Sequence, residues 1–341
     1  MGVRRILACL LALALLAGCA PAGETGDSLS FLAMDTAMEL TVYRREDGEE
    51  LLARAREEIQ ALEELLSVTD EDSQISALNR GERVELAPEA AQLLREALEL
   101  CADTGGALDI TIYPVVRAWG FTTGSHRIPS GQELSDLLER VDYTRVVLQG
   151  DTLTLPEGVE LDLGGVAKGY ASDRVADLLR QAGADCALLD LGGSIQTIGA
   201  SPDGDPWRVG IRDPLGEGAG DYCALVEVTG QAVVTSGMYE RYFEQDGVRY
   251  GHIIDPSTGR PADSGLASVT VVAPSAALAD GLSTALFVMG GEAAAQYWRE
   301  REGFEFVLIW EDGSVSITQG LEGSFSFAGE QGSHALEVIR R

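Results

Sequence analysis

The sequence predicts an α+β fold on three observations. Short strand-like runs follow one another directly, above all between Ala187 and Val234. Amphipathic helical blocks interrupt these runs instead of alternating with them one for one, which argues against a regularly wound parallel sheet. No interior stretch is long enough to act as a linker between independent domains.

Taken in order, Leu29 to Tyr43 alternates as strand with a break near Met34-Asp35-Thr36. Glu49 to Leu66 is a helix, because Leu52, Ala55, Ile59, Leu62 and Leu66 recur at helical spacing among Glu and Arg. Ser67 to Arg83 reads as a polar loop, and Pro88 to Ala102 as a second helix stopped by Gly105-Gly106. Ser130 to Val141 forms a short amphipathic helix, and Arg145 to Leu155 a hairpin about Gly150-Asp151. The apolar run Val159 to Leu163 leads through Gly164-Gly165 into a helix that reaches about Arg180. Strands are expected at 187–191, 195–198, 207–211, 224–228, 232–234 and 267–272. A helix from Ser275 to Met289 and a closing hairpin, Phe304 to Trp310 with Ser314 to Ile317, complete the chain.

Charge narrows the function classes. The chain carries 55 acidic and 25 basic residues, for a formal net charge of -30. Such a balance supplies no basic stripe for a phosphate backbone and no cationic patch for a membrane surface, so no nucleic-acid partner is expected. Lysine occurs once, at Lys168, and histidine three times, at His126, His252 and His334.

At the N-terminus, Arg4 and Arg5 precede an apolar run, Ile6 to Ala17, too short to span a bilayer. It ends at Leu16-Ala17-Gly18-Cys19, the pattern of a bacterial lipoprotein signal. Residues 1–18 are therefore expected to be a signal peptide, Cys19 the lipidated residue and 19–30 a tether, which places the protein outside the membrane on a lipid anchor. Cys101, Cys186 and Cys223 are too few and too scattered for a disulfide framework and read as separate core thiols.

Three stretches could carry chemistry. In Asp162-Leu-Gly-Gly-Val-Ala-Lys-Gly-Tyr170, glycines at a helix start let backbone N–H groups approach an anion, with Lys168 in the first turn or so. Tight strand–helix packing with a solvated lysine explains the same residues, and neither a P-loop nor a dinucleotide fingerprint fits. Asp190-Leu-Gly-Gly193 repeats the tetrapeptide without a lysine and reads as a turn. In Tyr250-Gly-His-Ile-Ile-Asp-Pro256, His252 stands near a strand end, where it could take a proton from a hydroxyl or simply be a satisfied core residue. His126 and His334 lie in polar, loop-like surroundings without a site role. Asp280 and Thr284, one turn apart on the Ser275 helix, suit a hard cation, although an Asp near a helix start is common for dipole reasons alone.

These segments resemble the FAD:protein FMN transferases, also called ApbE-like flavin transferases. The match continues through Met34-Asp35-Thr36, Ser73-Gln-Ile-Ser-Ala-Leu-Asn79, Ala107-Leu-Asp109, Trp119-Gly-Phe121, Thr235-Ser-Gly237, Tyr239-Glu-Arg-Tyr242 and Thr258-Gly259, in family order. The resemblance implies an ApbE-like fold of mixed and antiparallel sheets, with two closely associated subdomains around an FAD cleft, over residues 31–335. It further implies that Met34, Asn79, Ala107, Leu108, Asp109, Asp162, Lys168, His252 and Ile253 line the FAD site. Mg2+ would be held by the Gly165 carbonyl, Asp280 and Thr284, and His252 and Lys168 would act on the pyrophosphate. The implied reaction attaches FMN through a phosphoester to a Ser or Thr hydroxyl of an acceptor flavoprotein, such as a redox-pump subunit or an extracytoplasmic electron-transfer protein, and releases AMP. Hydrolysis of FAD to FMN and AMP, or flavin or solute binding by a non-catalytic lipoprotein, are the competing readings. Two residues depart from the family pattern: Met238 replaces an acidic or polar residue after Ser-Gly, and Thr69 an aromatic.

Overall fold

The computed structural model describes residues 26–216, 218, 221–328 and 335–341. The signal segment, Cys19, most of the tether and His334 lie outside the described residues.

The chain opens with β1 (Asp27–Ala33) and β2 (Thr36–Val42), followed by helices α1 (Gly48–Leu66), α2 (Gln74–Asn79), α3 (Pro88–Asp103), α4 (Tyr113–Trp119) and α5 (Gly131–Leu138), with the short strands β3 (Val84–Glu85) and β4 (Thr152–Leu153) among them. Then come α6 (Ala167–Gln181), β5 (Ala187–Leu191), β6 (Ser194–Ile198), β7 (Trp207–Arg212), β8 (Tyr222–Val228) and β9 (Ala232–Gly237). Small strands β10 (Tyr242–Gln245), β11 (Val248–Gly251), β12 (Ile254–Asp255) and β13 (Arg260–Pro261) lead to β14 (Leu266–Ala273), α7 (Ala276–Met289) and α8 (Gly291–Arg299). The last strands are β15 (Glu305–Trp310), β16 (Val315–Thr318), β17 (Phe325–Phe327) and β18 (Leu336–Ile339).

Among the described residues the main sheet has nine strands in the order β1-β2-β5-β6-β9-β14-β15-β16-β18. Its pairings are antiparallel apart from β16 with β18. Central β14 is buried at all eight positions, as a strand covered on both faces must be. Val269, Val271 and Ala273 face α7 and α8, while Val272 meets Trp207, Val209 and Val226 of the small sheet β17-β8-β7. A further lobe packs α4 and α5 against the β10–β11 hairpin around Trp119.

The break expected at Met34-Asp35 is the two-residue turn of the β1–β2 hairpin, with φ of 48° and 59°. Positive φ at both turn residues matches the right-handed twist of the strands, and it is an uncommon conformation for a side chain as bulky as methionine. The Asp190-Leu-Gly-Gly193 repeat ends in the expected turn: Gly193 N–H donates to Asp190 Oδ1 at 2.8 Å.

Three expectations need correction. The tight turn about Gly150-Asp151 is present, with Gln149 and Thr152 exchanging main-chain hydrogen bonds at 3.0 and 3.2 Å, but beyond it β4 pairs with β3 and no longer hairpin extends over Arg145 to Leu155. The loop at 67–83 contains α2, which begins where Ser73 Oγ accepts Ser76 N–H at 2.9 Å. The chain does not close with the β15–β16 hairpin, since β17 crosses to the small sheet and β18 extends the large one.

Helix α7 is capped from two sides. Ser275 Oγ accepts Leu278 N–H, while the Asp173 carboxylate on α6 accepts Ser275 Oγ–H (2.7 Å), Ala276 N–H (2.8 Å) and Ala277 N–H (2.9 Å). Asp173→Ala removes an anion from a helix N-terminus and leaves two amides unpaired, so it should cost about 2 kcal/mol. Urea unfolding measures this directly, and a loss below about 0.5 kcal/mol would contradict the capping role.

Candidate functional site

The site lies at one end of the main sheet. Because neighbouring strands are antiparallel, the β1–β2 turn, the β5–β6 turn and the C-terminal end of β9 meet there. Close packing defines it: a Cβ on Gly192 would stand 2.1 Å from Thr36 Oγ1.

Helix α6 starts at this end without a side-chain cap and without an acidic residue in its first turn; its first amide, Ala167 N–H, turns back to the Leu163 carbonyl at 2.8 Å, and the helix dipole adds to the positive charge of Lys168. Lys168 is its second residue. Gly169 allows α6 and α7 to touch, since a Cβ there would lie 2.2 Å from the Ala276 carbonyl oxygen. Through this contact Gly169 N–H donates to Asp280 Oδ2 at 2.9 Å, and Asp280 Oδ1 faces Lys168 Nζ at 4.0 Å. Asp280 is buried, and burial raises its carboxyl pKa while Lys168 and the Gly169 amide pull it down.

One turn along α7, Thr284 Oγ1 stands 3.3 Å from Ser236 Oγ, which itself bonds Ser283 Oγ at 2.8 Å. Gly165 faces the same spot, since a Cβ on it would be 3.7 Å from Thr284 Oγ1 and 3.5 Å from Leu108 Cδ1. Gly165, Thr284 and Leu108 therefore meet at one spot, with Asp280 one turn back along α7. No cluster of three or more His, Cys, Asp or Glu suited to a metal occurs among the described residues. A cation here would have one carboxylate and neutral oxygens, a hard donor set that suits Mg2+ when substrate phosphates complete the shell. The residues fit that ion.

His252 sits beyond Gly251 at the end of β11. Its Nδ1 lies 3.2 Å from the Arg241 carbonyl oxygen, which also accepts the His252 main-chain N–H at 3.1 Å. A carbonyl can only accept, so Nδ1 carries the proton and Nε2 keeps a free lone pair. Burial, with help from Arg241 and Lys168, lowers the His252 pKa to about 4. The imidazole is thus a neutral acceptor at pH 7. Asp162 is raised by burial against the Gly164 N–H bond (2.8 Å) and the charges of Arg241 and Lys168.

Other predicted residues take positioning roles. Asn79 pairs with Leu161 through both Nδ2 to the carbonyl (2.9 Å) and Oδ1 from the amide (2.7 Å), fixing the segment that leads into Gly164-Gly165. Asp109 is buried and accepts Thr111 N–H (2.8 Å), Thr111 Oγ1–H (2.6 Å) and Tyr143 N–H (3.2 Å), so its carboxylate builds the loop that carries half-buried Ala107 and buried Leu108. Met34 N–H donates to Glu63 Oε1 at 2.7 Å, and Ile253 is 5% exposed within the α7 core.

Sequence reasoning gave no role to Ser236, Glu240 or Arg241, although all three lie in quoted family segments. Glu240, accessible to solvent yet walled by protein, has its carboxyl raised to about 7, by desolvation first and by Asp280 next, against Lys168 and Arg241. His126 also differs from its reading as a plain loop residue, because its ring stacks on Phe243 at 4.9 Å and 6°. Phe243 in turn stacks on Tyr250 at 5.2 Å, and Trp119 lies 5.6 Å from Tyr250 while its Nε1 donates to the Gly259 carbonyl. These rings brace the hairpin that ends at His252. Met238 packs over Gly251, where a Cβ would meet its sulfur at 2.4 Å, and exposed Thr69 bonds Ser67 Oγ at 3.1 Å.

Fold and site together bring one lysine, a buried carboxylate and a neutral histidine to the same end of the main sheet. The sequence profile described as the ApbE family matches residues 34–308. A protein of Treponema pallidum named FAD:protein FMN transferase is 36% identical over 314 residues, covering 85% of this chain and 86% of its own. A Vibrio cholerae protein of the same name is 35% identical over 300 residues, covering 85% and 89%. The crystal structure of the ApbE protein from Thermotoga maritima superposes with a TM-score of 0.82 at 32% identity, covering 88% of this chain and 99% of that one. The apo flavinyl transferase ApbE of Pseudomonas stutzeri gives 0.78 at 30% identity, covering 91% and 100%. The chain belongs to the ApbE family.

Proposed function

We propose that this protein transfers FMN from FAD to a Ser or Thr hydroxyl of an acceptor protein, releasing AMP, and does so with Mg2+ outside the membrane on a lipid anchor at Cys19. The observation that carries the reading is the convergence of a neutral imidazole, an uncapped helix start bearing the chain's one lysine, and a buried carboxylate–hydroxyl pair on α7. Family membership supports flavin transfer, and two relatives carry the name of that activity.

In this reading the acceptor oxygen attacks the FMN phosphorus and its proton passes to His252 Nε2. The new P–O bond forms as the pyrophosphate bridge breaks, and AMP leaves with the bond's electron pair. Lys168, at the positive end of the α6 dipole, faces the charge that collects on the departing phosphate. Mg2+, when held by Asp280, Thr284 and the Gly165 carbonyl, supplies Lewis-acid neutralisation of phosphate oxygens. For the anchor, the signal pattern of Arg4, Arg5 and the run to Cys19 is the support, and no described helix is long and apolar enough to cross a membrane.

Mature protein incubated with FAD, Mg2+ and an acceptor domain should yield acceptor heavier by one FMN phosphoryl unit and an equal amount of AMP, by mass spectrometry and chromatography. AMP without labelled acceptor would establish a hydrolase instead, and neither product a binding protein.

A further inference from the structure

The proposed reaction leaves one cation of the site, Arg241, without a task. Arg241 ends the loop after β9, and its carbonyl accepts both the ring and the main-chain N–H of His252. Two bonds to one oxygen fold the imidazole against the Arg241 peptide. The guanidinium grows from the same residue, and its charge is felt at the imidazole.

That side chain is exposed and forms no ion pair among the described residues. Arg249 of the same hairpin differs, since it pairs with Glu244 at 3.3 Å and covers the Tyr242 ring at 4.2 Å. Lys168, the other cation near His252, is directed at the Asp280 carboxylate. Asp162, Glu240 and His252 all feel the Arg241 charge, which places it among the groups that face the cleft.

A pyrophosphate under attack needs positive charge on both phosphates. Lys168 and α6 serve one of them. A planar guanidinium with its forked donors matches the oxygens of the other better than any remaining group. We propose that Arg241 binds the FMN-side phosphate of FAD, gripping the oxygens of the phosphorus under attack while its own carbonyl holds His252 beside them. This rests on the flavin-transfer reading above.

The test compares Arg241→Ala and Arg241→Lys, both of which keep the carbonyl. Calorimetric titration with FAD and Mg2+ should show affinity falling about tenfold or more in Arg241→Ala. FMN transfer should fall about 10²–10³-fold, with partial recovery in Arg241→Lys. Thermal midpoints should stay unchanged, because the side chain is exposed. In ligand-free protein, imidazole NMR should show the His252 titration moving up once the neighbouring cation is gone, with Lys168 remaining and the Phe121 ring still against it. Unchanged FAD affinity in Arg241→Ala overturns the proposal whatever the imidazole does. If wild-type protein labels no acceptor but its FAD affinity still depends on Arg241, the transferase reading fails and the phosphate contact stands.

Discussion

Replacing His252 with asparagine should lower kcat for FMN transfer by about 10²–10⁴-fold, with FAD affinity little changed. Asparagine can keep a donor near the Arg241 carbonyl but offers no basic nitrogen, so the loss isolates proton removal from positioning. The acid limb of the wild-type profile carries the same information. An ordinary histidine is half protonated near pH 6.5, whereas burial and two neighbouring cations hold His252 to about 4. The lowered value keeps the base form populated well into mild acid. Accordingly kcat/KM should stay level from pH 7 down to about 5 and fall as the pH drops through the His252 value. A limb near 6.5 that persists in His252→Asn would assign the titration to another group and remove His252 from the mechanism.

The second large effect concerns the cation. Asp280→Asn preserves an acceptor for Gly169 N–H, and with it the α6–α7 contact, while removing the one carboxylate of the donor set. The Mg2+ concentration for half-maximal activity should rise by at least the roughly 10–100-fold that even outer-shell changes cost at metal sites. Turnover should vanish at low Mg2+ and recover partly at high Mg2+. Mn2+ binding followed by electron paramagnetic resonance gives a reading free of catalysis. Full activity of Asp280→Asn in EDTA would dismiss the metal assignment.

Much of the fold was legible because long elements have a strong period. The α1 helix announces itself through Leu52 to Leu66, and α7 through its start at Ser275. Short elements were not, since α4 has seven residues and takes its stability from burying Trp119 rather than from its own pattern. The pairing of β4 with β3 joins residues nearly seventy positions apart, which no local window can register.

The site divides in the same way. Lys168, Asp280 and Thr284 were visible because glycine spacing and a helical i,i+4 pair are local signals. Asn79 and Asp109 carry polar side chains whose work is backbone pairing, and only the structure separates that from ligand contact. Arg241 was hidden because its contribution depends on a peptide oxygen meeting a ring eleven residues later.

That last contact has a consequence for how the family can vary. The β10–β11 hairpin leaves the site at Arg241 and returns at His252, and the two ends are tied at a single oxygen. The Phe243–Tyr250 stack and the Trp119 contact brace the lower part of the hairpin, while its tip at Asp246-Gly247 lies beyond them. The tip can therefore lengthen, shorten or change its surface chemistry while the base at the foot keeps its place.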